Sequence, residues 1–78
     1  MRVTLRFFAS LRNFLPKSGA EGYPAEIPDG STVSDVIARY GIPPEKPKII
    51  LVNGRHAGAG TVLSDGDSLS LFPPVAGG

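Results

Sequence analysis

The 78-residue chain has no cysteine and no tryptophan, and it carries one histidine and one methionine. Without cysteine there is no disulfide framework, no thiolate metal site and no thiol nucleophile. Packing alone must hold the domain, and any sulfur chemistry has to be carried by another group. The lone His56 has no second ligand spaced to join it, so neither a metal site nor a histidine catalyst is expected. Long apolar runs are missing too. Arg2 and Arg6 interrupt the stretch from Met1 to Leu11 before it reaches signal-sequence length, and nothing approaches membrane-spanning length. A cytoplasmic protein with no membrane partner is the expectation. Charge of one sign is also lacking: eight Lys and Arg stand against seven Asp and Glu, and the cations are scattered from Arg2 to Arg55. With no basic stripe, nucleic acid is not an expected partner.

What is present suits one small α+β domain. Hydrophobic residues make up 41% of the chain, a folding composition rather than a disordered one. Arg2-Val3-Thr4-Leu5-Arg6-Phe7 alternates polar and apolar residues with the period of a half-buried strand, which turns Val3, Leu5 and Phe7 inward and Phe8 outward. Ala9 to Leu15 can wind as a short helical turn that Pro16 and Gly19 end. A second strand is expected over Tyr23 to Ile27, with Pro24 restricting it to an edge, followed by a turn at Pro28-Asp29-Gly30. Val33, Val36, Ile37 and Tyr40 have amphipathic-helix spacing. Thr32 and Asp35 resemble a capping box at its start, Gly41 supplies a left-handed cap at its end, and Pro43 and Pro44 prevent continuation.

Ile49-Ile50-Leu51-Val52 is apolar throughout. It reads either as a central strand covered on both faces or as one covered on a single face with the other awaiting a partner. Asn53-Gly54 signals a two-residue hairpin that sets Arg55 opposite Val52 and His56 opposite Leu51. Gly58-Ala59-Gly60 reads as a flexible connection and Asp65-Gly66-Asp67 as a turn rather than a calcium loop. In the last strand Leu69 and Leu71 alternate with Ser68, Ser70 and Phe72. An early hairpin, one main helix across a mixed sheet of four to five strands, and a final strand leading off the end describe a β-grasp domain over residues 1–72 with a tail over 73–78. Periodicity also permits other small α+β arrangements.

The tail Phe72-Pro73-Pro74-Val75-Ala76-Gly77-Gly78 carries the chemistry. A terminal carboxylate can travel on a tether into another protein's pocket, where it is a competent nucleophile toward the α-phosphate of ATP. Gly77 and Gly78 present no side chains to a narrow channel, Pro73 and Pro74 stiffen the exit from the sheet, and residues 73–78 reach roughly 20 Å when extended. The bland alternative is a frayed terminus. No serine has a histidine and acid arranged as a triad, so no internal catalytic site is expected.

Phe7-Phe8-Ala9, Val52-Asn53-Gly54, Leu63-Ser64-Asp65-Gly66-Asp67 and the terminal glycine pair, in that order, resemble the MoaD/ThiS-type ubiquitin-like sulfur carriers. Phe72-Pro73-Pro74-Val75 favours the molybdopterin-synthase small-subunit side of that family. The resemblance implies a ubiquitin-like fold in which Gly78 is adenylated by an E1-like enzyme and converted to a thiocarboxylate. It implies that Pro73, Pro74, Val75, Ala76 and Gly77 thread the partner's active site. The sulfur would then pass to the molybdopterin synthase large subunit or to another sulfur-accepting enzyme. No cofactor is bound by the chain itself, since ATP and the sulfur donor belong to the partner. A carrier for thiamine, cysteine or tRNA thiolation, a ubiquitin-like modifier of protein lysines, and a non-covalent interaction module are the alternatives. Strand parity adds a candidate docking patch of Phe8, Phe72, Leu51 and His56, provided Leu51 faces outward. Otherwise Phe8 and Phe72 fold back over the core edge.

Overall fold

The computed structural model describes residues 1–16 and 22–74; Gly19 and the tail positions Val75, Ala76, Gly77 and Gly78 lie outside the described residues. Alternation in the opening segment gives strand β1 (Arg2–Phe7), whose Val3, Leu5 and Phe7 are buried. The chain then leaves the strand through Ala9, a non-glycine residue in the left-handed region with φ of 52°, into a 3₁₀ turn over Ala9–Phe14 that buries Leu11. Strand β2 (Tyr23–Glu26) pairs antiparallel with β1 and lies at the sheet edge, where Pro24 costs no ladder hydrogen bond.

Helix α1 (Val33–Arg39) buries Val33, Val36 and Ile37. Its first turn is fully satisfied. Asp35 N–H donates to Thr32 Oγ1 at 3.2 Å and the Asp35 carboxylate accepts Thr32 N–H at 2.9 Å, closing the capping box. The two donors this leaves over reach the loop before the last strand: Val33 N–H bonds the Thr61 carbonyl at 3.0 Å and Ser34 N–H the Ala59 carbonyl at 2.8 Å. The Gly58-Ala59-Gly60 segment is therefore a hydrogen-bonded turn and not the flexible connection expected; Gly58 and Thr61 close it on each other. At the other end Gly41, with φ of 74°, donates to Ala38 and Ile42 donates to Ile37, the paired bonds that stop a helix through a left-handed residue.

Strands β3 (Ile49–Val52), β4 (Arg55–His56) and β5 (Ser68–Phe72) complete a five-stranded sheet in the order β2-β1-β5-β3-β4. Only the β1–β5 pair is parallel. Asn53 and Gly54 take φ of 53° and 81° in the β3–β4 hairpin. The core gathers Val3, Leu5, Phe7, Leu69 and Leu71 from the central strands with the helix residues and Leu63, while Ile50 and Val52 pack against it half-buried. Thus the core covers one face of β3 and not both. No helix among the described residues is long and apolar enough to cross a membrane.

Candidate functional site

Strand β5 occupies the middle of the sheet, bonded on one side to β1 and on the other to β3. Because Leu69 and Leu71 fill the core, Ser68, Ser70 and Phe72 face away from it. Register extends that outer face over its neighbours. Ser70 lies beside Arg6 on β1 and Leu51 on β3, and Leu51 lies beside His56 on β4, so these four residues form one row across four strands. Leu51 is half-buried and His56 exposed.

One step further toward the strand ends lies an aromatic row. Phe8 N–H continues the parallel ladder to the Leu71 carbonyl at 3.0 Å, which sets the Phe8 ring beside Phe72. The rings stack nearly parallel, with centroids 4.3 Å apart and planes 3° from each other. Neither ring joins the core cluster, so they do not fold back over its edge. Phe8 keeps 37% of its surface exposed and Ile49, which pairs with Phe72, keeps 39%. Together with Ala9, Ser10, Pro73 and Pro74 these residues line an open depression of about 470 Å³ where the chain leaves β5. Leu51 and His56 share this face but lie outside the depression. The structure adds Ile49 to the expected patch, since its two-residue spacing from Leu51 puts it on the same face.

Asn53 has a second task that its turn signal does not reveal. Its side-chain amide donates to Asp67 Oδ1 at 2.9 Å, and its Oδ1 accepts Ser68 N–H at 2.9 Å, tying the hairpin to the start of β5. Asp67 Oδ2 accepts Ser64 N–H at 2.7 Å, and Asp65 Oδ1 accepts Arg2 N–H at 2.7 Å. These carboxylates hold the turn before β5 in place. Among the described residues no three of His, Asp and Glu gather into a cation site.

A five-stranded mixed sheet with a parallel central pair, one short helix and a last strand running out of its middle defines a ubiquitin-like β-grasp protein. The chain belongs to the ThiS family, which matches residues 5–78. It is 38% identical to small archaeal modifier protein 3 of Haloferax volcanii over an alignment covering the whole of both chains. Among solved structures it resembles the HVO 2177 protein of Haloferax volcanii, with a TM-score of 0.73 and 32% identity over 100% of this chain and 87% of that one. It also resembles a Pyrococcus furiosus protein assigned as molybdopterin converting factor subunit 1, with a TM-score of 0.68 and 28% identity over 95% of this chain and 98% of that one.

Proposed function

We propose that this member of the family of small modifiers and sulfur carriers works through the carboxylate of Gly78. The placement of β5 is the observation that carries the reading. The strand anchored on both sides by ladders ends at Phe72, six residues before Gly78, and the family match runs through that glycine. An E1-like enzyme supplies ATP; the carboxylate attacks its α-phosphate, pyrophosphate leaves, and the resulting acyl adenylate is open to a sulfur nucleophile that displaces AMP. The thiocarboxylate then donates sulfur, with the large subunit of molybdopterin synthase as the leading acceptor. Likeness to the Pyrococcus protein supports that pathway. Pro73 and Pro74 line the outer-face depression, so a partner that grips Phe8 and Phe72 holds the start of the tail as well.

A second reading shares the first step. The 38% identical Haloferax relative bears the name of a modifier, which favours transfer of the adenylated tail to a lysine amine instead of to sulfur. Mass spectrometry of the protein isolated from its host separates the two. Replacement of one terminal oxygen by sulfur supports the carrier, isopeptide-linked forms support the modifier, and an unmodified terminus on every molecule refutes both.

A further inference from the structure

The near balance of charge over the whole chain conceals an uneven distribution along the strands. At the end where β1 and β5 finish, Arg6 stands in the row next to the aromatic pair and Arg12 lies in the 3₁₀ turn that follows Phe8. Lys48 donates its backbone N–H to the Phe72 carbonyl at 2.7 Å, and Lys46 precedes it by two residues. All four cations are exposed, and Glu45 is the acid that joins them there among the described residues. The opposite end is net acidic: Glu26, Asp29, Asp35, Asp65 and Asp67 outnumber Arg2, Arg55 and the Met1 ammonium. Glu26 meets Arg2 at 2.9 Å, Asp65 accepts the Arg2 N–H, and the Asp67 carbonyl accepts Thr4 N–H. Asp35 caps the helix start at that same end. Six-residue β1 separates the two poles by roughly 20 Å at about 3.3 Å per residue. That is about two Debye lengths at 0.1 M ionic strength, so a partner meeting the tail end feels the cations with little cancellation from the distant acids.

We propose that the apolar face at the tail end docks on a seat with an acidic rim on the adenylating enzyme, and that this asymmetry brings the tail end to the enzyme first. The inference rests on the reading that Gly78 is adenylated. Charge complementarity of this kind acts on the encounter rate, by roughly 10- to 1000-fold for a complete field, and weakens with salt.

ATP–pyrophosphate exchange by the adenylating enzyme of the same organism, at subsaturating carrier and across a salt series, tests it. Lys48→Glu reverses a charge at the tail end. Arg55→Glu makes the same change of net charge in the hairpin beside Val52, at the other end. At low salt Lys48→Glu is expected to slow activation by at least about fivefold and Arg55→Glu by less than about twofold, with the gap closing near 1 M salt where the Debye length falls to about 3 Å. Equal effects of the two variants, or a wild-type rate indifferent to salt, overturn the steering proposal while leaving adenylation intact. A Lys48→Glu defect that persists at high salt overturns it as well, since a lost local contact would then explain the result. Absence of exchange with the wild-type chain overturns the adenylation reading, and this inference with it.

Discussion

Truncating the stacked rings separates the outer face's contribution to folding from its contribution to binding. Phe8 and Phe72 meet at 4.3 Å on the side of the sheet away from the core, so Phe8→Ala opens no cavity among the buried hydrophobic residues of the core. It removes one parallel ring contact, worth about 0.5–1.5 kcal/mol beyond the apolar area the ring buries. For a domain of this size about 1 kcal/mol moves the melting temperature by roughly 4–8 °C, so the lost ring contact accounts for a drop of no more than about 12 °C, the lost area adds to it, and the variant should remain folded at 25 °C. Binding should respond more strongly. Aromatic anchors at an interface cost on the order of 2 kcal/mol when truncated, about 30-fold in Kd, and at least tenfold weaker binding to the adenylating enzyme or the synthase large subunit is the expected result. Because each ring loses the same neighbour, Phe8→Ala and Phe72→Ala should be non-additive, the double variant costing less than the two singles combined. Circular dichroism melts and isothermal titration of the three variants measure both quantities. Normal binding by both single variants, or their failure to fold, would refute the assignment of this face to docking, and strict additivity would refute the rings acting as a unit.

Deleting Gly77 and Gly78 leaves the core from Val3 to Leu71 untouched, so the melting temperature should hold while ATP-dependent activation disappears; sulfur transfer or conjugation by the truncated chain would count against the terminal carboxylate. If the tail threads its partner as proposed, Gly77→Val, which adds a branched side chain there, should slow activation without changing the melt. Asn53→Ala removes two side-chain hydrogen bonds and puts a Cβ-bearing residue without a polar group at φ of 53°, for a cost of about 2 kcal/mol by urea denaturation; Asn53→Gly, which relieves the dihedral but not the hydrogen bonds, should recover only part of it. Ala9→Gly removes the left-handed penalty at φ of 52° and should gain up to about 1 kcal/mol in the same assay. Burial, reinforced by the neighbouring Tyr23, raises the Tyr40 phenol above its ordinary 10.0, so the unfolded chain releases this proton first and stability from this group should fall as pH rises beyond about 10, a trend that Tyr40→Phe should abolish.

Features written in short-range patterns were legible in the sequence. Alternation from Arg2 to Phe7, helical spacing from Val33 to Tyr40, the Thr32 and Asp35 box and the Asn53-Gly54 turn each specify their structure within a few residues; their order suits a β-grasp sheet of four to five strands without excluding other small α+β arrangements, and the structure has five. Contacts between distant segments were not legible in the same way. Parity turns Phe8 and Phe72 outward, but their stacking requires β1 and β5 to be parallel neighbours, a pairing that brings together residues more than sixty positions apart. The turn around Gly58 is not legible in the sequence because its part in the fold is played by the Ala59 and Thr61 carbonyls, and backbone acceptors leave no mark on residue type. The outward facing of Ile49 is hidden too, since an unbroken apolar strand masks its own alternation.

The sheet order also suits the proposed function, in which the C-terminus is drawn into another molecule. Had the last strand lain at the edge, a pull on the tail would strip one ladder, and pairing could fail bond by bond from Phe72 inward. Here β5 is held by β1 and β3 at once, and its Leu69 and Leu71 are fully buried between them. Displacing the strand means breaking both ladders together and exposing two leucines, each worth about 1.5–3 kcal/mol of burial. The edges of the sheet are left to β2, with its proline, and to the two-residue β4, neither of which connects to the tail. A pull on the chain beyond Phe72 would therefore fall on the strand least able to leave the domain.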